Sequence, residues 1–164
     1  MRFKALEFEN RHWCATYLLV NTEDFQNKCL TIEGYFTLSN KVLSISDDVS
    51  NSRKRKLFNG TKKDDKSLHV ILIGQLAKFI NESDENPKYG DTSMEELLDA
   101  AFEIIDAINE RIPCRCVLLE CRESSDEDTD EEKLGRTKLH QKYVEYGFIP
   151  LQKDDNLVQY VILV

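Results

Sequence analysis

The stretch HVILIGQLAKF, His69 to Phe79, decides the fold. It is apolar almost continuously rather than at every second residue, which marks a strand covered on both faces and therefore central in its sheet. Gly74 interrupts the run, at a place where a bulge can bend the strand. A loop of roughly 13 residues separates it from the clearest helix pattern in the chain. Ser93 with Glu96 three residues on is a capping box. Met94, Leu97, Leu98, Ala101, Ile104, Ile105 and Ile108 then recur at helical spacing as one apolar stripe. Pro113 prevents continuation, and CRCVLLEC, Cys114 to Cys121, reads as a second buried strand. Strand, helix and strand in this order predict a parallel, right-handed crossover unit.

Upstream, Phe3 to Asn10 reads as the end of a helix, and Cys14 to Val20 and Leu30 to Leu38 as a β-hairpin around the polar turn Asn21 to Lys28. Val42 to Ile45 extends the second strand or adds a short third piece. Downstream, Leu134 to Tyr146 is a helix stopped by Gly147 as a left-handed C-cap. Phe148 to Leu151 and Leu157 to Val164 close the chain as strands. The expected fold class is α/β: a mixed, mostly antiparallel central sheet with a β-α-β crossover and flanking helices. At 164 residues the chain is expected to form a single domain with a sizeable core.

Composition narrows the function classes. Hydrophobic residues make up 41% and charged residues 32%, as in ordinary globular proteins. No apolar run approaches the roughly 18 residues of a membrane span, and the N-terminus lacks a signal-peptide core, so a cytoplasmic location without a membrane is expected. Five cysteines, an odd number without a compact framework, argue against a disulfide scaffold. Cys114 and Cys116 share a strand face, Cys121 has the opposite parity and no CxxC pair exists, so no metal is expected. The net charge of −8 makes nucleic acid an unlikely partner. The charge is nevertheless unevenly spread. Residues 51–66 form an expected basic loop with seven cations against Asp64 and Asp65, able to guide an anionic ligand or partner. Residues 123–132, ESSDEDTDEE, carry seven acids and no base, and are expected to be a solvated, flexible insertion.

Two elements point to a site. The helix start at Ser93 offers backbone N–H groups and a dipole to an anion such as a pyrophosphate. The strand ending QLAK, if it splays from the strand Cys116 to Cys121, exposes backbone groups that an extended amide-bearing ligand can pair with. LIGQLAK, an LL-containing helix, VLLEC and KLHQKYVEYGF, in that order and with GYFTLS on the hairpin, resemble the GNAT superfamily of acetyl-coenzyme A-dependent N-acetyltransferases. The resemblance runs from Cys14 to Val164 and is nearest to the branch of toxin-like bacterial acetyltransferases.

The resemblance implies acetyl-coenzyme A as co-substrate and a primary amine as acceptor. It places the pantetheine amides on Leu76, Ala77 and Lys78, with the Leu76 backbone polarising the thioester carbonyl. The loop Tyr89, Gly90, Thr92, Ser93 and Met94 would meet the pyrophosphate, and Tyr143 would protonate the departing thiolate. The loop NPKYGDTSMEELL departs from the glycine-rich family signature, with Gly90 its only glycine. The chain also starts where the family's first helices would be ending, so its N-terminus is short. Those departures support an alternative class, a catalytically inactive GNAT-like module that binds a protein partner or a second copy of itself. Read from its own residues, Tyr143 shares a helix face with Leu139 and Tyr146 and suits a half-buried core aromatic equally well. Glu120, at the end of its strand, is a candidate base or acceptor-side carboxylate, and Glu33 is another.

Overall fold

The computed structural model describes residues 2–60, 66–81, 88–89 and 92–164. The elements run α1 (Arg2–Asn10), β1 (Ala15–Val20), α2 (Thr22–Gln26), β2 (Ile32–Ser44), α3 (Asn51–Leu57), β3 (Ser67–Lys78), β4 (Ile80–Asn81), β5 (Lys88–Tyr89), α4 (Met94–Asn109), β6 (Cys116–Arg122), α5 (Asp130–Tyr146), β7 (Ile149–Asp154) and β8 (Leu157–Leu163). Six strands form one mixed sheet in the order β1-β2-β3-β6-β8-β7, and β4 pairs with β5 as a separate two-stranded ribbon. This is the α/β class expected. Among the described residues, no helix is long and apolar enough to cross a membrane.

Residue contacts divide the chain into two compact units, Met1–Asn40 with Ile73–Pro113 and Lys41–Leu72 with Cys114–Val164. In the first, β1 and β2 pair antiparallel from Ala15↔Leu38 to Leu19↔Gly34, with an irregularity before Val20. Tyr17 stacks on Phe36 at 5.1 Å between ring centroids. Helix α4 is capped as its sequence requires: Ser93 Oγ accepts from the Glu96 N–H at 3.0 Å and Glu96 Oε2 accepts from the Ser93 N–H at 2.6 Å. Its stripe buries Leu97, Leu98, Ala101 and Ile105. Asn21 to Lys28, expected as a turn, contains the short helix α2 capped by Asn21.

The second unit has its core at Leu43, Ile45, Leu57, Phe58, Val70, Cys116, Leu118, Leu151 and Val161. Strands β6 and β8 pair antiparallel along their whole length, Cys116↔Leu163 to Arg122↔Leu157, and β7 adds to β8 with a bulge between Pro150 and Gln152. Proline has no ladder donor to give, so an edge strand with a bulge is where it is tolerated. Gly147 caps α5 at φ 117, the left-handed conformation a glycine takes without strain.

Both charge runs depart from expectation. The basic run is not a loop throughout: Ser50 accepts from the Arg53 N–H and starts α3, whose Leu57 is buried. The acidic run is not a free insertion. Thr129 and Glu132 form a second capping box, so α5 begins at Asp130, four residues before the expected Leu134. Asp128, only 7% exposed, accepts from the Ser125 N–H at 2.8 Å and from Arg136 Nε at 3.0 Å. Acidic residues in a first helical turn also suit the helix dipole.

Two outcomes check this packing. A Cβ built on Gly34 would lie 2.8 Å from Leu97 Cδ2 and 3.0 Å from the Ala77 carbonyl oxygen. Gly34→Ala therefore overpacks the first unit, and thermal denaturation is expected to show a Tm lower by roughly 3–10 °C, from a cost of about 1–3 kcal/mol. Asp128 is held below the ordinary carboxylate range, first by the Ser125 N–H and then by Arg136 and Arg122. Its contribution is complete above its unfolded value, about 3.9, and disappears as pH falls through the lower folded value. Asp128→Asn is expected to be less stable than the parent at neutral pH, and the gap in Tm should close below about pH 4.

Candidate active site

In the first unit Leu76, Ala77 and Lys78 lie at the end of β3 and Thr92, Ser93 and Met94 at the start of α4, and Glu33 and Gly34 of β2 reach both segments. Leu76 and Ala77 are half-buried on β3 and Lys78 is exposed at its end. The neighbouring Gln75 N–H donates to the Thr37 hydroxyl at 2.9 Å, so a side chain takes a backbone donor just after Gly74. The Phe79 N–H donates to the Glu33 carbonyl at 2.8 Å, and Gly34 lies against Ala77 and Leu97. A Cβ-free position lets β2, the end of β3 and the first turn of α4 approach this closely.

Glu33 ties that turn down. Its two carboxylate oxygens accept from Asn21 Nδ2 and Thr92 Oγ1, both at 2.8 Å. Thr92 is buried, at 4% exposure, so its hydroxyl serves the protein. Ser93 likewise spends its hydroxyl on the Glu96 N–H. Met94 is the first residue of α4 and half-buried, Tyr89 belongs to β5, and Gly90 lies outside the described residues. Glu96 is held ionised by the Ser93 backbone N–H, then by the Ser93 hydroxyl, with Lys78 adding attraction. The helix start that would meet a pyrophosphate therefore already carries a carboxylate.

In the second unit Tyr143 is the one buried residue of α5. Its ring packs edge-on to Phe148 (6.2 Å) and against Tyr160 (5.9 Å). Among the described residues none hydrogen-bonds its hydroxyl. Burial above all, with Cys121 and Tyr160 nearby, pushes its phenol well above the usual tyrosine range. At neutral pH it is a proton donor and not a base. The His140 and Tyr160 side chains extend this cluster in a way the sequence reading missed. The His140 Nδ1 and Tyr160 hydroxyl are 2.6 Å apart and His140 Nε2 faces the Arg122 carbonyl at 3.3 Å. A carbonyl only accepts, so Nε2 carries the proton. No local signal announces the pair, because Gln159, Tyr160 and Val161 of β8 are all buried and show no alternation.

Glu120 is engaged on both oxygens. Lys41 Nζ donates to Oε1 at 2.6 Å and Oε2 at 2.8 Å, and Gln159 Nε2 donates to Oε1 at 2.7 Å. Gln159, 2% exposed, in turn accepts from Gln152 Nε2 at 2.7 Å, while Gln152 also pairs with Ser46 N–H and the Ser44 carbonyl. Lys41, Ser44, Ser46, Gln152 and Gln159 line a cleft of about 300 Å³ beside this network. The cysteines are thiols: Cys116 is buried and its pKa is pushed up to about 12, chiefly by burial, and Cys114 Sγ donates to the Cys116 carbonyl. Among the described residues, no group of three or more His, Cys, Asp or Glu is arranged to hold a metal ion.

Comparison with solved structures establishes the class of fold. The toxin AtaT complexed with acetyl-methionyl-tRNAfMet superposes with a TM-score of 0.61 at 18% identity, over 96% of this chain and 76% of that one. AtaTR bound with acetyl-coenzyme A gives 0.56 at 18%, over 95% and 74%. A tyrosine-to-phenylalanine mutant of KacT gives 0.58 at 17%, over 96% and 76%. The chain has the GNAT-like acyltransferase fold of these toxins, as LIGQLAK, VLLEC and KYVEYGF imply. No protein-family model matches the chain, and no curated protein does. The AtaT complex contains a tRNA, so these comparisons do not support the expectation that nucleic acid is an unlikely partner.

Proposed function

We infer that the protein transfers an acetyl group from acetyl-coenzyme A to a primary amine. The observation that carries this reading is Tyr143: a buried phenol, kept protonated, on a helix that ends in the Gly-Phe pair of an acetyltransferase-type fold. The amine nitrogen attacks the thioester carbonyl, the carbon–sulfur bond breaks, and the Tyr143 hydroxyl gives its proton to the thiolate. The ammonium proton passes to water and restores the phenol through solvent. Leu76, Ala77 and Lys78 bind the pantetheine amides, and the Leu76 backbone polarises the carbonyl. Glu120, already saturated by Lys41 and Gln159, orders the second unit and is not the base. AtaT, of the same fold, is known in complex with acetyl-methionyl-tRNAfMet, which makes an aminoacyl-tRNA the first acceptor to try.

Titration calorimetry with acetyl-coenzyme A tests the donor, and the absence of heat at high micromolar ligand would refute the reading. Tyr143→Phe keeps the ring and its packing, so the fold should survive. Turnover per folded molecule is expected to fall at least about tenfold with little change in KM for acetyl-coenzyme A. Unchanged turnover would remove Tyr143 from the chemistry.

One observation favours the second reading, a binding module without catalysis: the Glu96 carboxylate occupies the helix start where a pyrophosphate would sit. Glu96→Gln separates the two. Glutamine still completes the capping box, while the repulsion is gone. If α4 receives the pyrophosphate, the Kd for acetyl-coenzyme A should tighten by roughly two- to fivefold. A module that never binds the donor shows no change.

A further inference from the structure

We propose that α3 and its flanks form a docking surface for the phosphate backbone of a nucleic acid. The helix is short, but its side chains are sorted. At about 100° per residue, Leu57 and Phe58 share one half of the helix with the stem of Lys54, and both apolar side chains are buried in the core with Val49. Arg53, Arg55 and Lys56 fan across the other half and are exposed. The guanidinium of Arg53 donates to the Pro150 carbonyl at 3.1 Å, and Lys54 Nζ donates to the Asp47 carbonyl at 3.2 Å. These cations are thus oriented by uncharged carbonyls. Among the described residues, no carboxylate lies within 4.0 Å of any of the four, although the chain carries 30 acids. Arg115 takes the Leu57 and Lys56 carbonyls at the helix end, both at 2.8 Å, which adds a fifth cation and satisfies acceptors that would otherwise repel an anion.

The chemistry of the patch selects its partner. A protein interface is built around apolar and aromatic side chains, and a membrane-surface helix inserts an apolar face. The outward half of α3 offers neither, because Leu57 and Phe58 are spent on the core. Dense charge with no described carboxylate within 4.0 Å, beside Asn51, Ser52 and Asn59 as hydrogen-bonding neighbours, matches phosphate and sugar oxygens, which need cations and polar donors but no sequence reading. The surface stands independently of the acetyl-transfer reading, since it lies on a different segment and needs no donor.

The test is fluorescence anisotropy with a labelled RNA duplex of about 20 base pairs, without acetyl-coenzyme A. The expected result is binding whose affinity falls roughly a hundredfold between about 50 and about 200 mM salt, as four phosphate contacts require. Arg55→Gln with Lys56→Gln removes two cations whose side chains make no hydrogen bond or ion pair among the described residues, and should lower the slope of log affinity against log salt by about two. Replacing all four with glutamine should abolish binding, with Tm measured alongside because Arg53 and Lys54 also hold carbonyls. A double variant with the parent's salt slope, or no binding by the parent at about 50 mM salt, overturns the proposal. Capture of a polyglutamate peptide or of anionic vesicles with the duplex unbound also overturns it. Because the donor is omitted, failure here leaves acetyl transfer untouched, and failure to bind acetyl-coenzyme A leaves this surface untouched.

Discussion

The first unit depends on a side chain that is not there. Gly34 lets the β2 backbone, the Ala77 carbonyl and Leu97 meet at contact distance, and everything assigned to the donor hangs on that closeness. With β2 and β3 held together, the Phe79 N–H reaches the Glu33 carbonyl and the Glu33 carboxylate reaches Thr92 and Asn21. The start of α4 is thereby fixed to the end of β3 through one residue. A bulkier residue at position 34 would separate three elements at once, since interiors are packed too densely to absorb it locally.

The second unit relies on a polar network in place of a close approach. Glu120, Lys41, Gln159 and Gln152 are linked in sequence, and each finds its charge or amide matched. Half-buried charge is tolerable when so completely paired, and removing one member leaves its neighbours unsatisfied. That explains how a strand end can carry a half-buried glutamate. Tyr143 differs from this network because its ring is packed while its hydroxyl serves no described residue, which is the combination a proton donor to a ligand requires.

Much of the fold was legible because its signals are local. The continuous run at His69–Phe79, the Ser93–Glu96 box and Gly147 each state their structure within a few residues, and the position of Tyr143 followed from the same pattern. What escaped was long-range or masked by charge. Seven basic residues hid α3, whose only apolar evidence is Leu57 and Phe58 and whose length gives periodicity little room. Seven acids hid the Thr129–Glu132 box, and nothing in the run announces that Asp128 would meet Arg136 and Arg122. Glu33 meets Thr92, 59 residues away, a pairing that no local signal announces. The meeting of His140 with Tyr160 joins residues 20 apart on different elements, which no local pattern announces.

The two long helices begin with the same device, and its consequences differ. In α5 the box formed by Thr129 and Glu132 leads into a helix whose first turn is exposed and acidic, and the carboxylates there only complement the dipole. In α4 the identical arrangement at Ser93 and Glu96 follows directly on the buried, Glu33-bound Thr92, beside the end of β3. There the carboxylate stabilises the empty helix by the same attraction that a phosphate would use, so ligand and cap compete for one set of N–H groups. Lys78, whose charge already acts on Glu96, is the group placed to moderate that competition. Its ammonium can compensate the carboxylate when the helix is empty and a phosphate when it is filled. A helix start can therefore keep a glutamate and still admit an anion, at reduced affinity, as long as such a lysine stands beside it.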